Sequence, residues 1–362
     1  MFNNKISYAA LMLSVGVGLY SCGGDSSNEP TVSVPFSLGV SDAFVDDAEE
    51  VNIEIDKITI TSSDGDVDEI DMFYDAESDS QVDTIKINLL DYQGDDQVTI
   101  VNESAGIELA VGTSTMELTV IDSGSYVVLD EYADDFPDED KVKYDIKVPS
   151  SRLRLGGFDV VLGATQTEDT PGFTIEFDLT KSLVLRGNDP AKNGFIIKPH
   201  GVRIINSASN GTISGVVNLL DEAMLGCEGD IHTVYLYKGE KSAIENSFLA
   251  DNFDPDFVDN AAPPEAEEPF TSTMVMKDEE GELSYEIGFI PNGDTFGGGV
   301  PEDSFYRIAF ACNVGDVNLD PAWEDESEIF NDLMIPNPDT QLTVVEVLTG
   351  QTVTVDFPVP KP

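Results

Sequence analysis

The chain has 362 residues, 70 of them acidic and 18 basic, for a net charge of −52. That length predicts two domains, each able to bury its own core. The field of so many carboxylates repels phosphate backbones and anionic headgroups, which excludes nucleic acid and anionic lipid as partners. Most of the acids serve solubility in a saline medium, where screening to about 8 Å tames self-repulsion.

In chain order, the first element is an export signal. Lys5 gives a positive start, Ile6 to Gly18 a short apolar run, and Ser21 the small residue that a signal peptidase needs. The run is too short to span a bilayer. Leu19-Tyr20-Ser21-Cys22 resembles the lipobox of bacterial lipoproteins, although Tyr20 is bulkier than the residue usual there. That resemblance implies removal of residues 1–21 and a lipid on Cys22, so the chain's one predicted membrane contact is an N-terminal anchor. Gly23 after the cysteine implies the outer membrane, on its periplasmic or its cell-surface face. Residues 22–31 are polar and read as a flexible tether.

Beyond the tether, period-two alternation dominates and predicts an all-β chain of two antiparallel β-sandwich domains, with short helices only in loops. Val51, Ile53 and Ile55 followed by Ile58 and Ile60 slip register at Asp56-Lys57, the mark of a β-bulge. Asp64, Asp66, Asp68 and Asp75 fall at positions 1, 3, 5 and 12 of a loop, a spacing that echoes calcium sites, but Glu69 stands where such loops need glycine. Val120 to Ser125 contains the chain's most enzyme-like string, Asp122-Ser123-Gly124. Aspartic proteases need two such carboxylates sharing a proton; this chain has one, and a hairpin turn explains it.

Val142, Tyr144, Ile146 and Val148 alternate with Lys143, Asp145 and Lys147, and Phe173, Ile175, Phe177 and Leu179 with Thr174, Glu176, Asp178 and Thr180. Each predicts a strand with one wet face. Ten of the 18 basic residues lie between Lys141 and Arg203, read as outward positions paired with nearby acids. The polar break Asn206 to Gly211 divides a first domain, 32–207, from a second, 208–362.

Phe36-Ser37-Leu38-Gly39-Val40-Ser41-Asp42-Ala43, Asp46-Asp47-Ala48, Ile87-Asn88-Leu89-Leu90, Val148-Pro149-Ser150, Glu176 to Ser182 and Lys198-Pro199 occur in a specific order. In that order they resemble a bacterial lipoprotein family known as domain of unknown function 4382. Val111-Gly112-Thr113-Ser114 departs from it, lacking the aromatic usual after the glycine turn. The resemblance implies a β-sandwich and export, with no established activity.

In the second domain, Thr212 to Val217, Thr233 to Tyr237, Tyr306 to Cys312 and a last strand through Phe357 resemble transthyretin-like, carboxypeptidase-regulatory sandwiches. Such domains serve as spacers or carbohydrate binders. With Cys22 lipidated, Cys227 and Cys312 remain as an even pair in an oxidising compartment, and a disulfide is the favoured reading. Asp316, Asn318 and Asp320 form a second calcium-like echo. Trp323, the single tryptophan, is a candidate sugar-stacking residue or, more simply, part of a lid over the sandwich edge. His200 and His232 are too few for a histidine metal site and read as surface or edge residues. The sequence demands no cofactor; calcium is the one ion its acidic loops suit.

The resulting expectation is a non-enzymatic, lipid-anchored envelope protein with a binding or structural role and a glycan or envelope-protein partner. Its rivals are a carbohydrate-binding or adhesin-like accessory centred on Trp323 and a hydrolase using Asp122.

Overall fold

The computed structural model describes residues 32–43, 48–129, 141–161, 171–187, 189–227, 232–239, 249, 267, 269–278, 281–292, 304–312 and 335–359. These are almost entirely strands. The two α-helices among them, Leu179–Ser182 and Pro190–Asn193, are single turns between strands. Cys22, Asp316, Asn318, Asp320 and Trp323 lie outside the described residues.

The first lobe is organised around one long strand, Ala48–Ser62. Its apolar residues Val51, Ile53, Ile55, Ile58 and Ile60 are all buried. Along one edge run two segments in succession, Gly112–Val120 opposite Ile55 to Ser62 and Tyr126–Leu129 opposite Ala48 to Asn52. Outside them run Arg152–Val160 and Tyr144–Lys147, again end to end. All three ribbons break along one line. The Ala48–Ser62 strand skips Asp56, the predicted bulge. The second is interrupted by the turn Asp122–Gly124 and the third by Pro149–Ser151. Bulges bend a strand and increase its twist, so three in register crease the sheet.

The Asp122-Ser123-Gly124 string is therefore a break inside an extended ribbon, not the tip of a hairpin. Ser125 repairs the ladder there. Its buried Oγ accepts the Glu54 backbone N–H at 3.0 Å and donates to the Ile121 carbonyl at 3.0 Å. Replacing Ser125 with alanine leaves both backbone groups unmet, and we expect a loss of about 1–3 kcal/mol in urea unfolding. A loss within experimental error would mean that the crease does not depend on this hydroxyl.

A second sheet closes the sandwich in the order Val202–Asn206, Phe173–Asp178, Leu38–Ala43, Val98–Val101. Between the two sheets lie Phe36, Leu38, Val40, Ile58, Leu118, Ile146, Phe173, Ile175 and Phe177. The second lobe stacks two four-stranded sheets, one centred on Asn210–Val217 and Leu283–Pro291, the other on His232–Lys238 and Phe305–Cys312. Ile213, Val234, Leu236, Ile287, Ile308, Phe310 and Phe357 fill the space between. Most ladders are antiparallel, but three are parallel: Leu38–Ala43 with Phe173–Asp178, Tyr144–Lys147 with Phe195–Ile197, and Asn210–Val217 with Thr352–Thr354. Each parallel pair joins strands far apart in sequence, because a parallel return needs a long crossover.

Several local expectations change. Val142 is exposed, since its strand starts only at Tyr144. His232 is buried, its ring 5.8 Å from that of Phe310. The Phe305–Cys312 strand has no wet face. Tyr306, Ile308, Phe310 and Cys312 point into the core, while Ala309 and Ala311 pack with Tyr235, Tyr237, Leu249, Ile335 and Leu342 on the other side. Cys227 and Cys312 are joined by a disulfide with Cα atoms 5.3 Å apart. Val32–Pro362 clusters as one compact unit.

Candidate functional site: a buried polar seam

The Phe173–Asp178 strand was expected to wet Thr174, Glu176, Asp178 and Thr180. All four are buried. Alternation reports that a strand has two different faces; it does not report what covers the polar one. Here the second lobe covers it.

The seam is built from the strand outward. Glu176 sits directly between Ser41 on one neighbouring strand and Arg203 on the other. Directly opposite residues on adjacent strands share a face, so the carboxylate and guanidinium meet and form an ion pair. Two residues on, Asp178 shares that face. It accepts hydrogen bonds from Thr180 Oγ1 and, across the seam, from Thr271 Oγ1 at 3.2 Å. The helical turn Leu179–Ser182 then aims Lys181 at the second lobe. Lys181 Nζ lies 4.0 Å from Asp178 Oδ2 and donates to the carbonyls of Pro269 and Phe270, the latter at 3.0 Å.

Phe270 is the keystone on the other side. Its ring lies 4.2 Å from the Arg203 guanidinium and 4.6 Å from Lys238 Nζ. Its carbonyl accepts from Arg203 Nη1 at 3.4 Å, and its own N–H donates to Leu236 O at 2.6 Å. A cation desolvated over an aromatic face gains about 2 kcal/mol. The Pro269-Phe270-Thr271 segment is thus held by backbone, ring and hydroxyl together.

A second contact lies at the turn Gln93–Asp96. The Asp95 N–H donates to Glu286 Oε1 at 3.0 Å. A Cβ on Gly288 would stand 2.1 Å from the Gly94 carbonyl oxygen. Backbone touches backbone here, and only glycine allows it.

The seam's carboxylates titrate abnormally. Burial pushes Glu176 up to about 7, with the Arg203 charge opposing that rise. Glu286 is also raised, by burial and then by its contact with Asp95. A carboxyl whose folded pKa lies above its unfolded value holds its proton more tightly when folded. Its stabilising contribution is full below the unfolded pKa and is lost as pH rises through the folded one, so seam stability falls between about pH 4.5 and pH 7.

The sites expected from sequence lie elsewhere. Asp64 sits in a turn and accepts from Ser62 Oγ, which lowers its pKa. Asp68 lies in a strand opposite Ile60. Asp75 accepts from Ser78 Oγ at 2.6 Å and from the Glu77 N–H at 3.0 Å, and these bonds lower its pKa. The turn and the two separate strands do not gather Asp64, Asp66, Asp68 and Asp75. Among the described residues no group of three or more His, Cys, Asp and Glu is placed to hold a metal. Asp122 Oδ1 lies at a long 3.5 Å from the Val148 N–H. Several of the basic residues pair with acids: Lys141 with Glu49, Arg152 and Arg154 with Glu117, Lys192 with Asp189. Lys181 and Arg203 also pair with acids but face the seam and not solvent.

The strings Ser41-Asp42-Ala43, Glu176 to Ser182 and Lys198-Pro199 converge on this end of the first lobe. Gly201, just after them, packs so closely that an added Cβ would stand 2.6 Å from Asp178 O and Ser182 N. The first lobe matches the family described as Domain of unknown function (DUF4382), over residues 33–199.

No curated protein matches the chain. Among solved structures, the TIE protein of Bacillus anthracis aligns at 10% identity over 90% of this chain and 34% of that one, with a TM-score of 0.17. The chain spans about a third of that protein's length. GBS52, the minor pilin of Streptococcus agalactiae, aligns at 11% identity over 90% and 98% of the two chains, TM-score 0.15. The fimbrial anchor protein Mfa2 from Porphyromonas gingivalis aligns at 8% identity over 87% and 99%, TM-score 0.15. Among the described residues no helix is long and apolar enough to cross a membrane.

Proposed function

We propose that this chain is a non-enzymatic cell-envelope protein, anchored by a lipid on Cys22 in the outer membrane, with a structural or binding role. The observation that carries this reading is the polar seam. It joins the two sandwiches through cation–carbonyl hydrogen bonds, a guanidinium over the Phe270 ring, a Thr271–Asp178 hydrogen bond and a glycine contact, which suits a spacer that presents loops away from a surface. The N-terminal run ending at Cys22 supports the anchor, and the charge of −52 supports an exposed position in a saline medium.

The anchor is tested by feeding cells radiolabelled palmitate and fractionating them. The wild-type chain is expected to carry label in the membrane fraction, and Cys22→Ser to be unlabelled and released. An unlabelled wild-type chain in the soluble fraction would overturn the anchor.

A further inference from the structure

Among the described residues, the two most exposed large apolar side chains stand on one turn: Leu220 is 97% exposed and Leu225 80%. A single exposed leucine is ordinary. These two have apolar company at the same end of the second lobe. Val216 and Met276 are both exposed, and each lies directly opposite Ser284, one on either side, so they share a sheet face. An exposed apolar cluster of this kind, rimmed by polar groups, marks an interaction surface. The turn itself is fixed. The Leu220 N–H donates to Asn218 Oδ1 at 3.2 Å and the Ala223 N–H to Asp221 Oδ1 at 2.8 Å. The Asn218 N–H donates to the Phe357 carbonyl, Met224 is buried, and Cys227 is bridged to Cys312. The core thus uses Met224 but neither leucine, and covering the leucines requires little further ordering.

The turn lies at the end of the second lobe remote from Asn210, where the chain arrives from Asn206 of the first. Asn206 sits opposite Phe173, and Phe173 opposite Leu38, at the end where the chain enters the first lobe from Val32. From there the Asn210–Val217 strand runs past Ser214, opposite Glu286, which meets Asp95. The Asp95 turn is bridged through Gln93 to Asp42, at the other end of the Leu38–Ala43 strand. Leu220 and Leu225 therefore stand at the end of the body opposite Val32. Acids surround them. Asp221 and Glu222 lie exposed between the leucines, Asp356 accepts the Val216 N–H at 3.0 Å, and Asp278 and Glu282 follow Met276. Lys277 is the single base among them.

We propose that this leucine turn docks into an apolar cleft of a partner protein whose rim carries lysine or arginine. The inference rests on the binding role proposed above and names the partner's chemistry. A second copy of the chain fits poorly, because its net charge of −52 would set acid against acid across the interface. A lipid surface fits poorly too. The same acids repel anionic headgroups, and the turn stands at the opposite end from Val32, where the tether joins.

Photocrosslinking in the native cells tests this, with benzoylphenylalanine placed in the full chain at Leu220 or, separately, at Leu225. Val67, an exposed apolar residue of the first lobe, is the control position. Products are mapped by mass spectrometry to the residues joined. The expected result is one partner protein captured from both leucine positions and not from Val67, through an apolar segment flanked by lysine or arginine. With the probe at Leu220, Leu225→Ser should lower capture about tenfold, as expected for one leucine lost from a buried contact. Asp221→Asn with Glu222→Gln should lower it as well, since asparagine keeps the cap while the charge is gone. All three side chains are exposed, so these variants should fold. Capture of a second copy of this chain, of lipid, or of many proteins indiscriminately would overturn the proposal. So would a captured site without cations, or no product at all. Palmitate labelling reads the anchor separately, so failure of the docking turn leaves Cys22 untouched, and the reverse.

Discussion

Arg203→Leu is expected to destabilise the protein by about 3–5 kcal/mol at pH 8 and by distinctly less at pH 5.5. The substitution removes the cation opposite Glu176 while leaving the carboxyl buried, and an uncompensated buried charge carries a penalty of that order. It also removes the guanidinium from the Phe270 ring and the bond to the Phe270 carbonyl. The pH dependence follows from the sign of the titration. Glu176 is already raised to about 7 with Arg203 present. Without that charge its folded pKa rises further, while the unfolded value stays in the ordinary carboxylate range. At pH 5.5 the variant buries a neutral acid; at pH 8 it must bury an anion or take a proton from a dilute supply. Urea unfolding at both pH values measures the two costs. Equal costs would show that Glu176 reaches water in the native state, and the seam as described would fail.

The sequence made much of the scaffold legible, because burial in a sandwich follows a period of two. The Asp56-Lys57 slip was readable because one extra residue shifts Ile58 and Ile60 out of phase with Ile53 and Ile55, and the ladder with Thr119 and Val120 skips Asp56. The Asp122–Gly124 break was misread as a hairpin for a physical reason. A turn dipeptide announces that the backbone deviates, but the partner strand decides whether the chain reverses or continues. Here Glu54 offers its N–H and carbonyl to Ser125 Oγ and the Ile121 N–H, so the ribbon carries on.

The seam was hidden for a related reason. Thr174, Glu176 and Asp178 look like a solvated face, since nothing local distinguishes water from a facing row of carbonyls and cations. One signal was present. Lys181 follows Asp178 by three residues, and Arg203 is the second residue of the neighbouring strand Val202–Asn206, opposite Glu176. The first calcium echo was misleading in the opposite direction. Spacing alone placed Asp64, Asp66, Asp68 and Asp75 on one loop, whereas the chain spends Asp64 and Asp75 on serine hydroxyls and backbone amides, and Asp68 on a strand.

Removing the disulfide by Cys227→Ser with Cys312→Ser is the other large effect expected. The bridge closes a sequence separation of 85 residues. In the chain-entropy account a loop of that length stabilises by about 4–5 kcal/mol, and measured values often fall below it. Local structure sharpens where the loss should fall. Cys312 ends the central strand of a sheet, paired with His232, and is buried beneath it. Cys227 follows the turn Glu222–Met224, which hydrogen bonds to itself through Asp221 and contributes only Met224 to the core. Without the bridge, that turn and the start of the His232–Lys238 strand lose their main tie, whereas the strands lining the seam keep theirs. Calorimetry is expected to show a lower melting temperature. Hydrogen exchange should show protection lost first around Asp221–Cys227, with the Phe173–Asp178 amides little changed. Equal loss of protection in both places would mean that the seam couples the lobes more strongly than the bridge holds its own.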